Sequence, residues 1–200
     1  MSQTTGVGAV ILAAGASSRL GEPKQLLEYQ NKPLLQGVVD RLAPFNFATN
    51  IVVLGAYADD IRRHTRLDGV TAVENPEWEE GIASSIRAGV DQALQIDEAL
   101  EALLFLLSDQ PFVSAGLIRE LVATHKGNPG RIIACRYKGS LGVPAVFPKP
   151  YFTMLQELSG DVGAKKIIMG HPDQVEEVAF ERGGFDVDTP EDYEELNNSN

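Results

Sequence analysis

Small residues and two cations lie close together near the start of the chain. Residues 15–18 are Gly-Ala-Ser-Ser, and Arg19 and Lys24 follow. Small residues let backbone N–H groups approach a polyanion closely, and the two cations add positive charge. We interpret the segment as a loop that binds the triphosphate of a nucleotide. On spacing alone, the alternative is an ordinary loop between a strand and a helix.

The spacing of the glycines excludes two common phosphate-binding motifs. A P-loop requires four residues between its glycines and then Lys-Ser or Lys-Thr, whereas five residues separate Gly15 from Gly21 and Glu22 follows. The dinucleotide-binding fingerprint follows a strand, whereas Gly6 and Gly8 precede the first apolar run. Any nucleotide loop here is therefore of another kind.

Three aspartates are candidates for a metal site. Asp109 follows the apolar run 102–107, and carboxylate oxygens suit Mg²⁺, which takes one or two of them together with phosphate oxygens and water. If residues 185–188 are extended, Asp186 and Asp188 project from one side, where their charges repel unless a cation lies between them. The alternative for Asp109 is to cap the next helix, a position that Ser114 fills better.

Apolar runs alternate with helical patterns along the chain, which favours a parallel sheet covered by helices. Residues 10–14 lack polar alternation, as expected for a strand buried on both faces. Predicted strands cover residues 10–14, 50–55, 70–74, 102–107, 131–137, 145–147 (within a loop, 138–149) and 175–180. Predicted helices cover residues 33–42, 58–66, 82–93, 114–126, 151–158 and 162–169, and a last helix begins at 189–192.

The pattern predicts a three-layer α/β/α sandwich with a Rossmann-like, mostly parallel sheet. Loops at the carboxyl ends of parallel strands share one crevice, so the Gly15 loop and Asp109 are expected to face each other. We expect residues 1–196 to form a single domain and residues 197–200 to form a disordered tail.

The composition limits the classes of partner. The chain has 200 residues, 44% of them hydrophobic, and a net charge of −11 from 28 acidic and 17 basic residues. So acidic a chain, without a run of cations, argues against nucleic acid and acidic membranes and favours a small molecule whose charge is met locally. A solvated acidic surface explains most of the charge equally well.

The only cysteine, Cys135, lies in a predicted buried strand and is interpreted as a core residue. Because no basic region followed by an apolar region and cleavage site opens the chain, and no apolar stretch approaches about 18 residues, we expect a cytoplasmic protein.

Residues 12–24 resemble the nucleotidyltransferase signature L-A-A-G-x-S-x-R-x-G-x-x-K, and most closely that of the molybdenum cofactor cytidylyltransferase branch. The resemblance implies the fold predicted above, with one antiparallel strand inserted late. It implies that the Ala-Ala-Gly backbone contacts base and ribose while Arg19 and Lys24 bind the triphosphate. The implied nucleotide-binding residues are Leu12, Ala13, Ala14, Gly15, Ala16, Ser17, Ser18, Arg19, Lys24, Gly81, Ser85 and Asp109.

The same resemblance implies roles for later motifs. Arg19, Lys24 and Asp109 are the implied catalytic residues, and Asp109 would share a metal, Mg²⁺ or alternatively Mn²⁺, with Asp186 or Asp188. The implied acceptor pocket contains Gly142, Pro144, Gly160 and Asp161. Many relatives that act on the cofactor have His where this chain has Val143, which weakens the inference of a pterin acceptor but not that of nucleotidyl transfer.

The resemblance implies the Mg²⁺-dependent transfer of CMP from CTP to a terminal phosphate of molybdopterin, with release of pyrophosphate and transient contact with a molybdoenzyme or its chaperone. Ala14 favours cytosine because guanylyl-transferring relatives usually have Gly there, although uridylyl-transferring relatives share Ala-Ala-Gly. The alternatives are a guanylyltransferase for the same cofactor, a cytidylyltransferase for another small phosphorylated acceptor, and a non-catalytic nucleotide-binding partner of a molybdoenzyme.

Overall fold

A computed structural model describes residues 3–4 and 6–198. Within these residues, seven strands form the main sheet. In chain order they are β1 (Val7–Ala13), β2 (Asn50–Leu54), β3 (Thr71–Glu74), β4 (Ala102–Leu107), β5 (Ile132–Tyr137), β6 (Ser140–Pro148) and β7 (Val175–Ala179). Short strands pair outside this sheet, Gln3–Thr4 with Asn46–Phe47 and Glu28–Tyr29 with Lys32–Pro33.

The strand order across the main sheet is β7-β5-β6-β4-β1-β2-β3. All of its neighbours pair in parallel except β6, which runs antiparallel to both β4 and β5. The predicted mostly parallel sheet with one late antiparallel strand is therefore confirmed. β1 lies between β4 and β2, so the Gly15 loop and Asp109 leave adjacent strands at the same edge.

Helices cover both faces of the sheet. The α-helices of the described residues are α1 (Leu34–Leu42), α2 (Ala58–His64), α3 (Ile82–Ile96), α4 (Ala115–Gly127), α5 (Phe152–Gln156), α6 (Lys165–Gly170) and α7 (Pro190–Asn198). Side chains of α1, α2 and α4 pack in one core cluster and those of α3, α5 and α6 in another, with alternate strand residues contributing to each. The three-layer α/β/α prediction is confirmed, and Ser114 caps α4 as expected by accepting a hydrogen bond from the Leu117 N–H. No helix of residues 6–198 has the length and apolar character needed to cross a membrane.

The structure corrects three boundaries. Residues 138–149 are not a loop with a short strand, because Ser140–Pro148 is a full strand whose register shifts between Gly142 and Ala145 and so accommodates Pro144, which has no N–H to donate. The sixth helix begins at Lys165, not at residue 162, after a turn in which Gly160 has a positive φ of 64°. Asn197 and Asn198 belong to α7 rather than to a tail, and residues 199–200 lie outside the described residues.

Candidate active site

The loop after β1 is held by a buried amide. The side-chain N–H groups of Gln25 donate to the carbonyls of Ala13 (2.9 Å) and Gly15 (3.0 Å). The hydroxyl of Ser17 accepts from the Lys24 N–H at 3.1 Å. These contacts hold residues 13–17 against residues 24–25. The backbone of the loop therefore stays open to the cleft, and Lys24 lies close to the loop.

Gly55 lets the same loop pack closely on its neighbour. A Cβ atom at Gly55 would lie 2.6 Å from the carbonyl oxygen of Ala14 and 2.8 Å from the Cβ atoms of Ala14 and Trp78. A side chain at this position would therefore push the predicted base-binding backbone out of place.

Lys24 lies between two of the predicted metal ligands. Its ammonium group hydrogen-bonds Asp109 and lies 2.9 Å from Oδ1 of Asp188. Arg19, whose side chain is 69% exposed, reaches the other oxygen of Asp188 at 2.8 Å. Burial alone would lower the pKa of Lys24, but the carboxylates of Asp109 and Asp188 outweigh it and raise that pKa. The structure thus brings together all three residues of the predicted catalytic set.

Asp186 joins the same charge cluster from a more buried position. Burial, followed by the charge of Asp109, raises the pKa of Asp186 to about 6. Oδ1 of Asp186 and Oδ1 of Asp109 are both buried, and neither has a hydrogen-bond partner among the described residues. Two such orphaned oxygens fit a divalent cation that binds one or two carboxylates.

A metal bound here would not be held by protein groups alone. Among residues 6–198, no group of three or more His, Cys, Asp or Glu side chains is arranged to hold an ion. Asp109, with Asp186 or Asp188, would hold the cation, and phosphate oxygens and water would complete its shell.

The segment carrying Asp186 and Asp188 is anchored by the side chain between them. Val187 is fully buried in a small cluster with Leu27, Tyr29, Leu34 and Leu196, and its N–H donates to the carbonyl of Asp109 at 3.2 Å. As expected for an extended segment, Val187 points away from the two carboxylates. The α7 residue Leu196 belongs to this cluster, so the last helix secures the position of the acidic segment.

On the opposite side of the cleft, Gly81 and Ser85 open α3. Gly81 has a φ of 122°, and a Cβ there would lie 2.6 Å from the carbonyl oxygen of Gly160. The buried amide of Asn75 donates to the hydroxyls of Ser84 (2.8 Å) and Ser85 (3.1 Å). Asn75 therefore orients the predicted base-contacting serine.

These elements enclose a cleft of ≈ 330 Å³. Of the predicted site residues, those lining it are Leu12, Ala13, Ala14, Gly15, Ala16, Lys24, Gly81, Ser85, Asp109 and Asp161. Ser17, Ser18 and Arg19 lie on the loop outside this lining. Trp78 and Glu79, which were not predicted as ligands, line the cleft beside Gly81.

The predicted acceptor pocket is only partly assembled at this cleft. Asp161 lines it, whereas Gly142 lines an adjoining cavity of ≈ 150 Å³ that also contacts Tyr137 and Val143. Pro144 is buried in β6 and Gly160 packs against Gly81, so neither lines either cavity. The adjoining cavity is mostly apolar, because side chains such as Ile86 and Phe105 line it. The Tyr137 hydroxyl donates to the Val143 carbonyl at 3.0 Å.

The ion pair of Glu80 and Arg87 connects the segment before α3 with the segment around Gly160. Arg87 in α3 binds Glu80 at 2.5 Å and donates to the carbonyl of Leu158 at 2.8 Å. Glu80 also accepts from the Gly160 N–H at 3.0 Å. The hydrogen bonds from Arg87 and Gly160 lower the pKa of Glu80 to about 2. Residues 78–81 and 158–161 are thus joined to each other at the wall of the cleft.

The family of the chain follows from its sequence. A model described as the MobA-like NTP transferase domain matches residues 9–175, which include both sides of the cleft. The chain belongs to this family. It is therefore a nucleotidyltransferase-family protein, and the cleft described above is that of a MobA-like NTP transferase domain.

Three relatives of this MobA-like domain illustrate the range of the family. Nicotine blue oxidoreductase of Paenarthrobacter nicotinovorans is 32% identical over 197 residues, covering 92% of this chain and 93% of the relative. Molybdenum cofactor cytidylyltransferase of Escherichia coli is 23% identical over 190 residues, covering 94% and 93%. The crystal structure of Rv0371c of Mycobacterium tuberculosis in complex with manganese has a TM-score of 0.81 and 30% identity and covers 98% of this chain and 100% of that one.

Sequence reasoning missed several residues that shape the site of this MobA-like domain. Gln25 follows Lys24 directly but carries no pattern that distinguishes a buried amide from a surface one. Asn75 precedes Pro76, a pair that is typical of a turn and gives no sign that the Asn75 side chain holds both Ser84 and Ser85. Glu80 and Arg87 are seven residues apart, a spacing that pairs no two side chains on one regular helix.

Proposed function

We propose that this protein transfers CMP from CTP to a terminal phosphate of molybdopterin, releasing pyrophosphate. The observation that carries the proposal is the cluster of Lys24, Asp109 and Asp188 beside the β1 loop, at the cleft of ≈ 330 Å³. A cation and carboxylates at one edge of a parallel sheet are what a metal-bound triphosphate requires.

In the proposed reaction the protein acts by positioning and by neutralising charge. A divalent cation held by Asp109 with Asp186 or Asp188, Mg²⁺ or Mn²⁺, would supply Lewis-acid stabilisation of the α-phosphate. Arg19 and Lys24 bind the β- and γ-phosphates. The anionic terminal phosphate of the acceptor attacks the α-phosphorus in line, the bond to the β-phosphate oxygen breaks, and pyrophosphate leaves with the electron pair. No general base is needed because the attacking phosphate is already anionic.

Cytosine is the proposed base because of the space around Ala14. Ala14 is buried beside Gly55 and lines the cleft, and under this proposal its methyl group narrows the room left for a purine. Ser85 and the backbone of Gly81 supply the polar contacts on the opposite wall.

Pyrophosphate release tests the proposal directly. The protein is incubated with molybdenum cofactor, Mg²⁺ and either CTP or GTP, and pyrophosphate and the nucleotide-linked cofactor are measured. Release with CTP alone supports both the reaction and the base. Release with GTP alone keeps the enzyme class and rejects the role given to Ala14. No release with either nucleotide rejects molybdopterin as the acceptor, and the pocket around Val143 becomes the first place to search for another.

A second candidate function rests on nicotine blue oxidoreductase, which is more similar in sequence to this chain than the cytidylyltransferase is. The apolar cavity beside Val143, with a volume of ≈ 150 Å³, offers a planar aromatic compound more favourable contacts than a pterin edge rich in hydrogen-bonding groups. Under this candidate the aromatic compound is reduced, and the assay supplies the two-electron donor. Oxidation of NADH or NADPH that depends on nicotine blue, without pyrophosphate release in the transferase assay, would favour it.

A further inference from the structure

The ammonium group of Lys24 occupies a position suited to a metal ion. It contacts one carboxylate from the end of β4 and one from the segment before α7, and the side chains of Lys24 and Asp109 are only 16% and 12% exposed. The side chain of Asp188 is 34% exposed, so Asp109 is the more buried of the two carboxylates, and a cation between them offsets their repulsion. In this structure Lys24 supplies that charge.

Arg19 is not equivalent to Lys24. Within the described part of the chain, Arg19 contacts Oδ2 of Asp188 and not Asp109, and it is mostly exposed, so it adds charge without filling the space between the two carboxylates. Lys24 fills that space, and its flexible four-carbon stem allows the ammonium group to move between partners without moving the loop.

We propose that Lys24 is an exchangeable internal cation, which holds Asp109 and Asp188 in the free protein and moves to the triphosphate when nucleotide and metal enter. This inference rests on the proposed function, since it assumes a metal-bound triphosphate in the cleft. Its consequence is an order of binding: the divalent cation is held weakly by the free protein and tightly once a nucleotide has drawn Lys24 away.

The buried carboxylate oxygens that have no hydrogen-bond partner support this order of binding. Only Oδ1 of Asp109 and Oδ1 of Asp186 are buried without a partner in this cluster, as far as the described residues go, and two oxygens do not fill the shell of a divalent cation. Release of Asp109 Oδ2 by Lys24, together with the phosphate oxygens, supplies the missing ligands. By linkage, each of metal and nucleotide must then raise the affinity for the other.

Mn²⁺ binding, followed by the electron paramagnetic resonance signal of the free ion, tests the exchange without measuring activity. Lys24→Met removes the ammonium group from between Asp109 and Asp188. Arg19→Met is the matched control, because it removes one positive charge from beside Asp188 and leaves the ammonium group of Lys24 in place. Without nucleotide, we expect Lys24→Met to bind Mn²⁺ at least about tenfold more tightly than the wild type, because a neighbouring positive charge has been removed. Arg19→Met should change the affinity much less, and Lys24→Met combined with Asp109→Asn should lose the gain.

A measurement on the wild type covers the case in which Lys24→Met does not fold. With a non-transferable α,β-methylene analogue of CTP, the protein should hold Mn²⁺ more tightly than the analogue does in buffer, whereas the free protein should hold it weakly.

Tight Mn²⁺ binding by the free wild type, equal to that of Lys24→Met, would overturn the exchange and leave the proposed transfer to be judged by pyrophosphate release. Equal gains for Lys24→Met and Arg19→Met would also overturn it, since charge alone would then explain the effect. Failure of the protein and analogue together to retain Mn²⁺ would reject the metal site and, with it, both proposals.

Discussion

At the scale of single residues, the positive charges of Arg19 and Lys24 balance the carboxylates of Asp109 and Asp188. Asp109 has one oxygen bonded to Lys24 and one buried without a partner in the described part of the chain. A buried oxygen that lacks a partner costs stability, so its presence in the cleft is more readily explained by a ligand than by folding.

Replacing Asp109 with Asn is expected to lower turnover at least about a hundredfold, because one preorganised charge that holds the reacting phosphate is lost. The measurement is the rate of pyrophosphate release. Asp173→Asn makes the same chemical change on the exposed surface outside the cleft and serves as the matched control. Near-normal turnover of Asp109→Asn in a correctly folded protein would reject its assignment as the metal ligand.

Cys135 allows a clean check of the core, since it is the only cysteine of the chain. Burial raises the pKa of its thiol to about 12, so both access and ionisation oppose reaction. We expect no modification by a disulfide reagent at pH 8 in the native protein and complete modification in denaturant. Rapid labelling of the native protein would contradict the packing of β5.

At the scale of elements, two loops that meet at the wall of the cleft, residues 78–81 and 158–161, behave as one unit. Gly81 packs against the Gly160 carbonyl, and the ion pair of Glu80 and Arg87 bridges to residues 158 and 160. A displacement of one loop is therefore expected to displace the other, so the proposed base contacts and acceptor contacts change together.

Gly81→Ala should break this unit. The added methyl group meets the Gly160 carbonyl, and the positive φ disfavours any side chain, so we expect a loss of about 1–3 kcal/mol in the free energy of unfolding and a higher KM for nucleotide. Gly127→Ala, where a Cβ meets nothing within 4 Å, is the control and should change stability by no more than about 0.5 kcal/mol. Equal effects of the two changes would show that the loop contact is unimportant.

The Glu80 ion pair predicts a pH dependence of stability. The pKa of Glu80 is lowered in the folded protein from 4.5 to about 2, so its stabilising contribution is complete above pH 4.5 and is lost as the pH falls toward 2. Wild type should therefore be more stable than Glu80→Gln at pH 6, and the difference should shrink by pH 3. Urea unfolding at several pH values measures it, and a constant difference would contradict the ion pair.

At the scale of the whole molecule, the site joins distant parts of the chain. Lys24 and Asp188 are 164 residues apart, and the 185–188 segment is held by α7 and by the Asp109 carbonyl rather than by pairing in the main sheet. A ligand that contacts both ends would therefore stabilise the complete fold and not one loop.

We expect nucleotide and divalent metal together, at about a hundredfold excess over Kd, to raise the melting temperature by about 5 to 10 °C. Either one alone should give a much smaller shift, because each completes the binding site of the other. Thermal unfolding with CTP and Mg²⁺, and with CTP and EDTA, measures the effect. An unchanged shift in EDTA would indicate that the metal does not take part in binding.

Periodicity and motif spacing predicted most of the fold and of the candidate site. Apolar runs identified the strands of a parallel sheet because burial on both faces leaves no polar alternation. Prediction failed at β6, where Gly142 and Pro144 suggested a loop, because pairing with two neighbouring strands outweighs local propensity. It also failed for Gln25 and Asn75, since a buried amide is recognised only by what surrounds it.

The sequence by itself determined which residue types are available: a small-residue loop with two cations, a carboxylate after the central strand, and a pair of carboxylates near the end. Local patterns contain this information because strand burial, helix capping and turn chemistry depend on residues close in the chain. Only the tertiary structure decided how the charges are paired. It placed Lys24 between Asp109 and Asp188, left one oxygen each of Asp109 and Asp186 without a partner in the described residues, and set the apolar cavity beside the cleft. Electrostatic pairing and burial depend on distance in space, and no spacing along the chain encodes that distance.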